Sequence, residues 1–333
     1  MPHGTPHLLI AVDGSPSAAT AVRVAAGLFP GARASIATVP SEPTVHAGTA
    51  GAVVPGWSPA ATQRAIAVLA AEAQRQADET AEEAVELART LGLDAESASV
   101  RPSVAAWRAL LDASHRLDAD VLVCGTRGRG AFARALLGST SSSLLHNTDV
   151  PLLIVPDGHG ALDGPVAAAY DGSEGARRAI EAVGRLVTGR VTVVVHAWEP
   201  VAHRGLTARG LGAGGPVGDI HATVVGLQRA LMESAAETTE QGVAAAHAVG
   251  LDAVGESAEA LDGAWRTVAA AARAHGASVI AVGTRGLGAA RSALLGSVSS
   301  GLVRNAEVPV LVVPGEPDRA PAHDAAERSG EHV

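Results

Sequence analysis

Short apolar runs recur along the chain, each closed by a turn signal and followed by a longer stretch in which alanine mixes with charged residues. The first run, Leu8 to Val12, stops at Asp13-Gly14-Ser15-Pro16. That pattern predicts a buried strand, then a helix capped by Ser15 with Pro16 at its first position. Helix follows over Ala18 to Leu28 and a second strand over Ala32 to Val39. Residues 40–59 are rich in Pro and Gly and predict a long loop, and residues 60–91, rich in Ala, Glu, Gln and Arg, predict a helix. A third strand fits Ala95 to Val100, an amphipathic helix with Trp107 fits 103–117, and Val121-Leu122-Val123 is a fourth strand. A short helix over 139–147 and a strand from Leu152 to Val155 complete the series.

The series then repeats. Asp13-Gly14-Ser15, Gly92-Leu93-Asp94-Ala95, Trp107, Gly125-Thr126-Arg127-Gly128 and Val150-Pro151 each recur 158 residues on, as Asp171-Gly172-Ser173, Gly250-Leu251-Asp252-Ala253, Trp265, Gly283-Thr284-Arg285-Gly286 and Val308-Pro309. A period of that size is a domain rather than a solenoid unit. The expected organisation is therefore 1–157 and 165–314 as two copies of one domain, 158–164 as linker and 315–333 as a disordered tail. Strands separated by helices imply parallel pairing with right-handed crossovers. Each copy reads as an α/β, doubly wound sheet of five parallel strands with helices on both faces. Ligands in such folds sit outside the carboxyl ends of the strands. The turn at Asp13 and the segment after the fourth strand should both lie there.

Composition narrows the chemistry. Hydrophobic residues make up 47% of the 333 residues and aromatics only 2%, so the core must be aliphatic. The formal charge is −9, without a clustered basic stripe, which disfavours a nucleic-acid partner. All 25 basic residues are Arg. Without lysine there is no Walker-A, Schiff-base or catalytic-base lysine, and Arg stays protonated at neutral pH. The single cysteine, Cys124, forbids an intrachain disulfide and reads as a core thiol. The 13 histidines show no metal-ligand spacing, and His146 reads as a surface cap. No apolar stretch is long enough to cross a membrane and the N-terminus lacks a basic signal region, so cytoplasm is the expected location.

The candidate chemistry lies after the fourth strand. Gly125, Gly128 and Gly138-Ser139 stand at Gly-x2-Gly-x9-Gly-Ser spacing, with Arg127 and Gly130 inside, and Gly283, Gly286 and Gly296-Ser297 repeat it around Arg285 and Gly288. Glycine lets backbone approach a ligand and take positive φ, and successive N–H groups form an anion nest. The helix after Gly138 or Gly296 adds orphan N–H donors. Ser139, Thr140 and Ser141, or Ser297, Val298 and Ser299, add side chains there. Micromolar affinity needs about 8 kcal/mol. A helix terminus supplies at most about 2 and each charge-assisted hydrogen bond roughly 1.5–3. Several donors must act together, with an apolar part of the ligand buried as well. A lone Gly-x-x-Gly is also ordinary turn chemistry; the long spacing, duplicated beside matched Asp-Gly-Ser turns, favours the anion site.

This spacing, followed by an apolar strand ending in Val-Pro, resembles the ATP-binding signature of the universal stress proteins, and the likeness extends over 7–156 and 165–314. The resemblance, to a tandem of two UspA-like domains, implies Rossmann-like sheets of order 3-2-1-4-5. It implies that Asp13 and Asp171 lie beside the adenosine, and that Val39 and Ala197 contact adenine. Gly125, Gly128, Gly138 and Ser139, with Gly283, Gly286, Gly296 and Ser297, would hold ribose and phosphates. The fifth strands would pair across the two domains. ATP is the implied ligand. Asp13 and Asp171 are open to three roles: holding a Mg²⁺ that accompanies it, binding a hydroxyl or amide, or capping the next helix. Because Arg129 becomes Leu287 and Thr140 becomes Val298, the first site is expected to bind more tightly. No nucleophile–base pair stands out, so no catalytic residue is assigned. A nucleotide-responsive stress module is the leading expectation. A slow ATPase or adenylyl transferase, and a scaffold with degenerate pockets, are the alternatives. A tandem monomer and a homodimer of tandems remain open, as does an unnamed protein partner.

Overall fold

The computed structural model describes residues 4–40, 58–101, 103, 105–128, 137–158, 163–201, 217–284 and 296–315. The first repeat runs β1 (His7–Ala11), α1 (Pro16–Leu28), β2 (Arg33–Ala37), α2 (Pro59–Thr90), β3 (Asp94–Ala98), α3 (Ala106–Arg116), β4 (Val121–Gly125), α4 (Ser139–Asn147) and β5 (Leu152–Val155). The second runs β6 (Val166–Ala169), α5 (Glu174–Leu186), β7 (Thr192–Trp198), α6 (Val217–Ala248), β8 (Ala253–Glu259), α7 (Ala264–Ala274), β9 (Val279–Gly283), α8 (Ser297–Asn305) and β10 (Val310–Val313).

The ten strands form one sheet of order β3-β2-β1-β4-β5-β10-β9-β6-β7-β8. Within each repeat every pairing is parallel and the order is 3-2-1-4-5. The halves meet where β10 pairs antiparallel with β5, Leu311 facing Leu153. That reversal turns the carboxyl ends of the two half-sheets toward opposite edges. The joint residues Leu152, Leu153, Ile154, Val310, Leu311 and Val312 are all buried, and each such side chain contributes about 1.5–3 kcal/mol relative to exposure. Arg190 adds a second tie, donating to Gly27 O of the first repeat (2.6 Å) and to Gly164 O (2.7 Å).

Two aliphatic layers flank the sheet and each runs through both repeats. One packs α1, α2, α5 and α6, the other α3, α4, α7 and α8. Small side chains such as Ala18, Ala21 and Ala25 let α1 lie close to the strands. Local capping sets the helix starts as the sequence indicates: Ser15 accepts from Ala18 N–H and Ser173 from Ala176 N–H, both at 3.2 Å.

Several boundaries differ from expectation. β2 ends at Ala37 rather than Val39, where Ala37 O still accepts from Val12 N–H as the chain leaves β1. β3 ends at Ala98 rather than Val100. α3 starts at Ala106 rather than 103: Ser103 Oγ accepts from Ala105 N–H and holds a turn ahead of the helix. The expected loop 40–59 falls mostly, and the expected tail wholly but for Gly315, outside the described residues.

Candidate functional site

The site grows from the ends of β1 and β4, neighbours in the sheet whose following helices lie on opposite faces. After β1, Gly14 takes a left-handed φ of 75° and lets the chain reverse. Asp13 Oδ1 accepts from Ser15 N–H at 3.0 Å, so this carboxylate builds the turn that Ser15 then caps. After β4, Thr126 N–H donates to Val155 O, and Gly138 N–H returns to Thr126 O at 2.7 Å. Gly138 thus lies beside the residue that follows β4. Gly138 is the extended N-cap of α4 (φ −60°, ψ 155°) and supplies no side-chain cap, so the first-turn amides keep their orphan character.

The loop glycines serve space rather than handedness. Gly125, Gly128 and Gly138 are absent from the positive-φ backbone of the described residues, which corrects the expectation of left-handed geometry there. A Cβ on Gly128 would stand 2.5 Å from Asp13 Oδ2, and one on Gly125 would collide with Ser17. The two chemistry-bearing turns are therefore pressed together.

Between them opens a cavity of about 390 Å³, within the 300–1,000 Å³ usual for ligand pockets. Asp13, Arg127, Gly128, Gly138, Ser139, Thr140 and Ser141 line its polar side, and Gly125 and Val39 line it too. Of the first repeat's candidate residues, only Gly130 lies outside the described residues. Ser141 is buried and donates its hydroxyl to Gly125 O at 2.7 Å, so toward the cavity it offers lone pairs rather than a proton. Arg127 is ion-paired with Asp157 beyond β5.

The apolar wall was not foreseen. Ala11, Ala37, Ala106, Leu110 and Cys124 join Val39 to form it. The signal was present: Ala37 and Val39 share a face of the second strand by its period of two, and Ala11 and Cys124 sit at strand ends flanking the switch point. Cys124 is a buried thiol, as expected, and burial pushes it up to about 12 against a small opposing pull from Ser141.

The second repeat copies the scaffold. Asp171 Oδ1 accepts from Ser173 N–H at 3.0 Å, and Gly296 N–H returns to Thr284 O at 2.8 Å. A Cβ on Gly283 would press on Gly175 backbone. Ser299 Oγ donates within the turn, to Gly296 O at 3.0 Å. Ser297 and Val298 open α8, and Ala197 packs near the end of β7. Arg285, Gly286 and Gly288 lie outside the described residues.

Other singled-out residues behave structurally. Trp107 and Trp265 are half-buried core edges, each covered by the next Arg at 5.0 and 4.6 Å. His146 bonds Ser142 O on the surface of α4. Among the described residues no three His, Cys, Asp or Glu side chains gather as a metal site, and no helix is long and apolar enough to cross a membrane.

A doubly wound tandem with a glycine-lined pocket beside the switch point of its first repeat is the class of protein that fold and site define. The family model for the universal stress protein family matches residues 5–156 and 164–314. The chain belongs to the universal stress protein family. A universal stress protein of Mycolicibacterium smegmatis is 30% identical over 317 residues, spanning 92% of this chain and 96% of that relative. One of Mycobacterium tuberculosis is 31% identical over 215 residues, spanning 62% and 68%. The crystal structure of a universal stress protein from Archaeoglobus fulgidus covers 93% of this chain and 99% of its own at 20% identity, with a TM-score of 0.59, and shares the fold.

Proposed function

We propose that the first-repeat cavity binds an adenine nucleotide, ATP, and that the protein is a nucleotide-responsive stress module rather than an efficient enzyme. The observation that carries this is the meeting, in one cavity of about 390 Å³, of an apolar wall with uncapped amides at a helix N-terminus. Adenine has a flat apolar body that suits Val39, Ala37 and Leu110. Phosphates suit the amides of Ser139 and Thr140, the Thr140 hydroxyl and Arg127. Asp13, on the polar side, lies where a ribose hydroxyl or a Mg²⁺ accompanying the phosphates would come. Duplication of the turns around Asp171, Gly283, Gly296 and Ser297 supports a second, weaker site.

Mass spectrometry of small molecules released from denatured, freshly purified protein, together with calorimetric titration of ATP, tests the reading. Adenine nucleotide in the released fraction, or micromolar ATP binding, is the expected result. Protein that arrives free of nucleotide and gives no heat and no melting shift with ATP would leave a scaffold with degenerate pockets.

A further inference from the structure

We propose that Asp157 sets the charge selectivity of the first-repeat site by competing with ligand phosphate for Arg127. The proposal rests on the nucleotide reading above and concerns a residue outside the cavity. Arg127 lines the cavity, yet its guanidinium is ion-paired with Asp157, two residues past the end of β5. The side chains are 22% and 42% exposed, so the pair is neither locked in the core nor freely solvated. A guanidinium fork that would grip phosphate through paired N–H bonds is thus already engaged by a carboxylate. A phosphate arriving at the amides of α4 must share Arg127 with Asp157 or displace it. An uncharged nucleoside gains nothing from the exchange; a polyphosphate does.

The second repeat does not carry this carboxylate at the matching position. The position equivalent to Asp157 is Gly315, whose N–H instead donates to Thr284 Oγ1 at 3.2 Å. Asp157 also begins the segment leading into the second repeat, so phosphate on Arg127 releases a carboxylate at the junction of the two halves.

The test is calorimetric titration of ATP and of adenosine into wild type, Asp157→Asn, Asp157→Gly, Arg127→Gln and the Arg127→Gln/Asp157→Asn double variant, with ligand-free melting as a check on folding. Freeing Arg127 from a partly exposed pair should tighten ATP about threefold to fivefold. Adenosine affinity should not change, and the gain should vanish in the Arg127→Gln background. Unchanged ATP affinity in both Asp157 variants overturns the proposal. A gain that survives in the double variant does so too, since it would reflect bulk charge rather than the pair. If neither ATP nor adenosine binds wild type, the nucleotide reading itself falls, and this inference with it.

Discussion

The two repeats share their turns and differ in what surrounds them. Asp13 and Asp171 make the same hydrogen bond to Ser15 and Ser173, and Gly138 and Gly296 return to Thr126 and Thr284 at nearly the same length. Around that scaffold, the first repeat has Ala37, Cys124, Thr140 and Asp157 where the second has Val195, Val282, Val298 and Gly315. Backbone reversal at a crowded sheet edge tolerates little change, because each substitution meets a neighbour or strands a buried donor. Cavity walls tolerate more. Duplication therefore preserved the turn framework of both repeats while the residues around it diverged, and the first repeat carries the smaller Ala37 and Cys124 and the more polar Thr140.

The sharpest way to break this comparison is a matched pair of charge insertions. Aspartate is a favoured N-cap and Gly138 already has the extended geometry of one, but a Cβ there would stand 3.3 Å from Thr126 O, so ligand-free melting of Gly138→Asp is measured beside its titration. Its carboxylate would occupy the first-turn amides and repel phosphate. Loss of the helix-terminus attraction and one charge-assisted bond, about 3 kcal/mol together, predicts roughly 100-fold weaker ATP binding. Gly296→Asp should cost the chain far less of its ATP affinity. Equal losses in calorimetry would contradict the ranking of the two sites.

A smaller effect comes from the apolar wall. Ala37→Leu would fill the end of the cavity assigned to adenine, and overpacking of this kind predicts about tenfold weaker ATP binding. Competition by inorganic triphosphate should be unaltered. If ATP and triphosphate weaken together, the base does not sit on this wall.

Exchanging Thr140→Val and Val298→Thr moves one hydroxyl between sites. A neutral hydrogen bond is worth about 0.5–1.5 kcal/mol, so each exchange should shift its own site by roughly twofold to tenfold, in opposite directions. Site-resolved occupancy by native mass spectrometry, in the background of the other site's aspartate variant, reads this out.

The smallest expected difference concerns Cys124 and pH. Its thiol is raised from 9.0 to about 12 by burial, so the folded state prefers the neutral form. That contribution is complete below pH 9 and is lost as pH rises toward 12, because the unfolded chain ionises first. Cys124→Val, which copies Val282, should flatten alkaline unfolding over that window relative to wild type. Identical alkaline curves would place the thiol in a wetter setting than the structure shows.

The parallel pairing was legible because period, turn residues and duplication all pointed one way, whereas the strand order and the fifth-strand joint came from the family resemblance rather than from the pattern itself. α4 begins at Ser139 as expected, since Gly-Ser before a short helix leaves few options. Strand and helix ends were less legible: the Ser103 turn displaces the start of α3, and β2 stops at Ala37, without any change in the apolar pattern. The polar half of the cavity could be found from glycine spacing. The apolar half left a fainter signal, in the alternation of Ala37 with Val39, because Ala11, Ala37 and Leu110 look like any core residue until strand order sets them around one opening. The pairing of Arg127 with Asp157 spans 30 residues and depends on β5 lying beside β4, which spacing alone does not reveal.

Photolabelling with 8-azido-ATP, followed by peptide mapping, tests the central claim most directly. The account predicts adducts on first-repeat peptides carrying Ala37–Val39 or Ala106–Leu110, suppressed by excess ATP and by Gly138→Asp. Adducts confined to other surfaces, such as the groove beside Trp265 on α7, or labelling that excess ATP does not suppress, would contradict it.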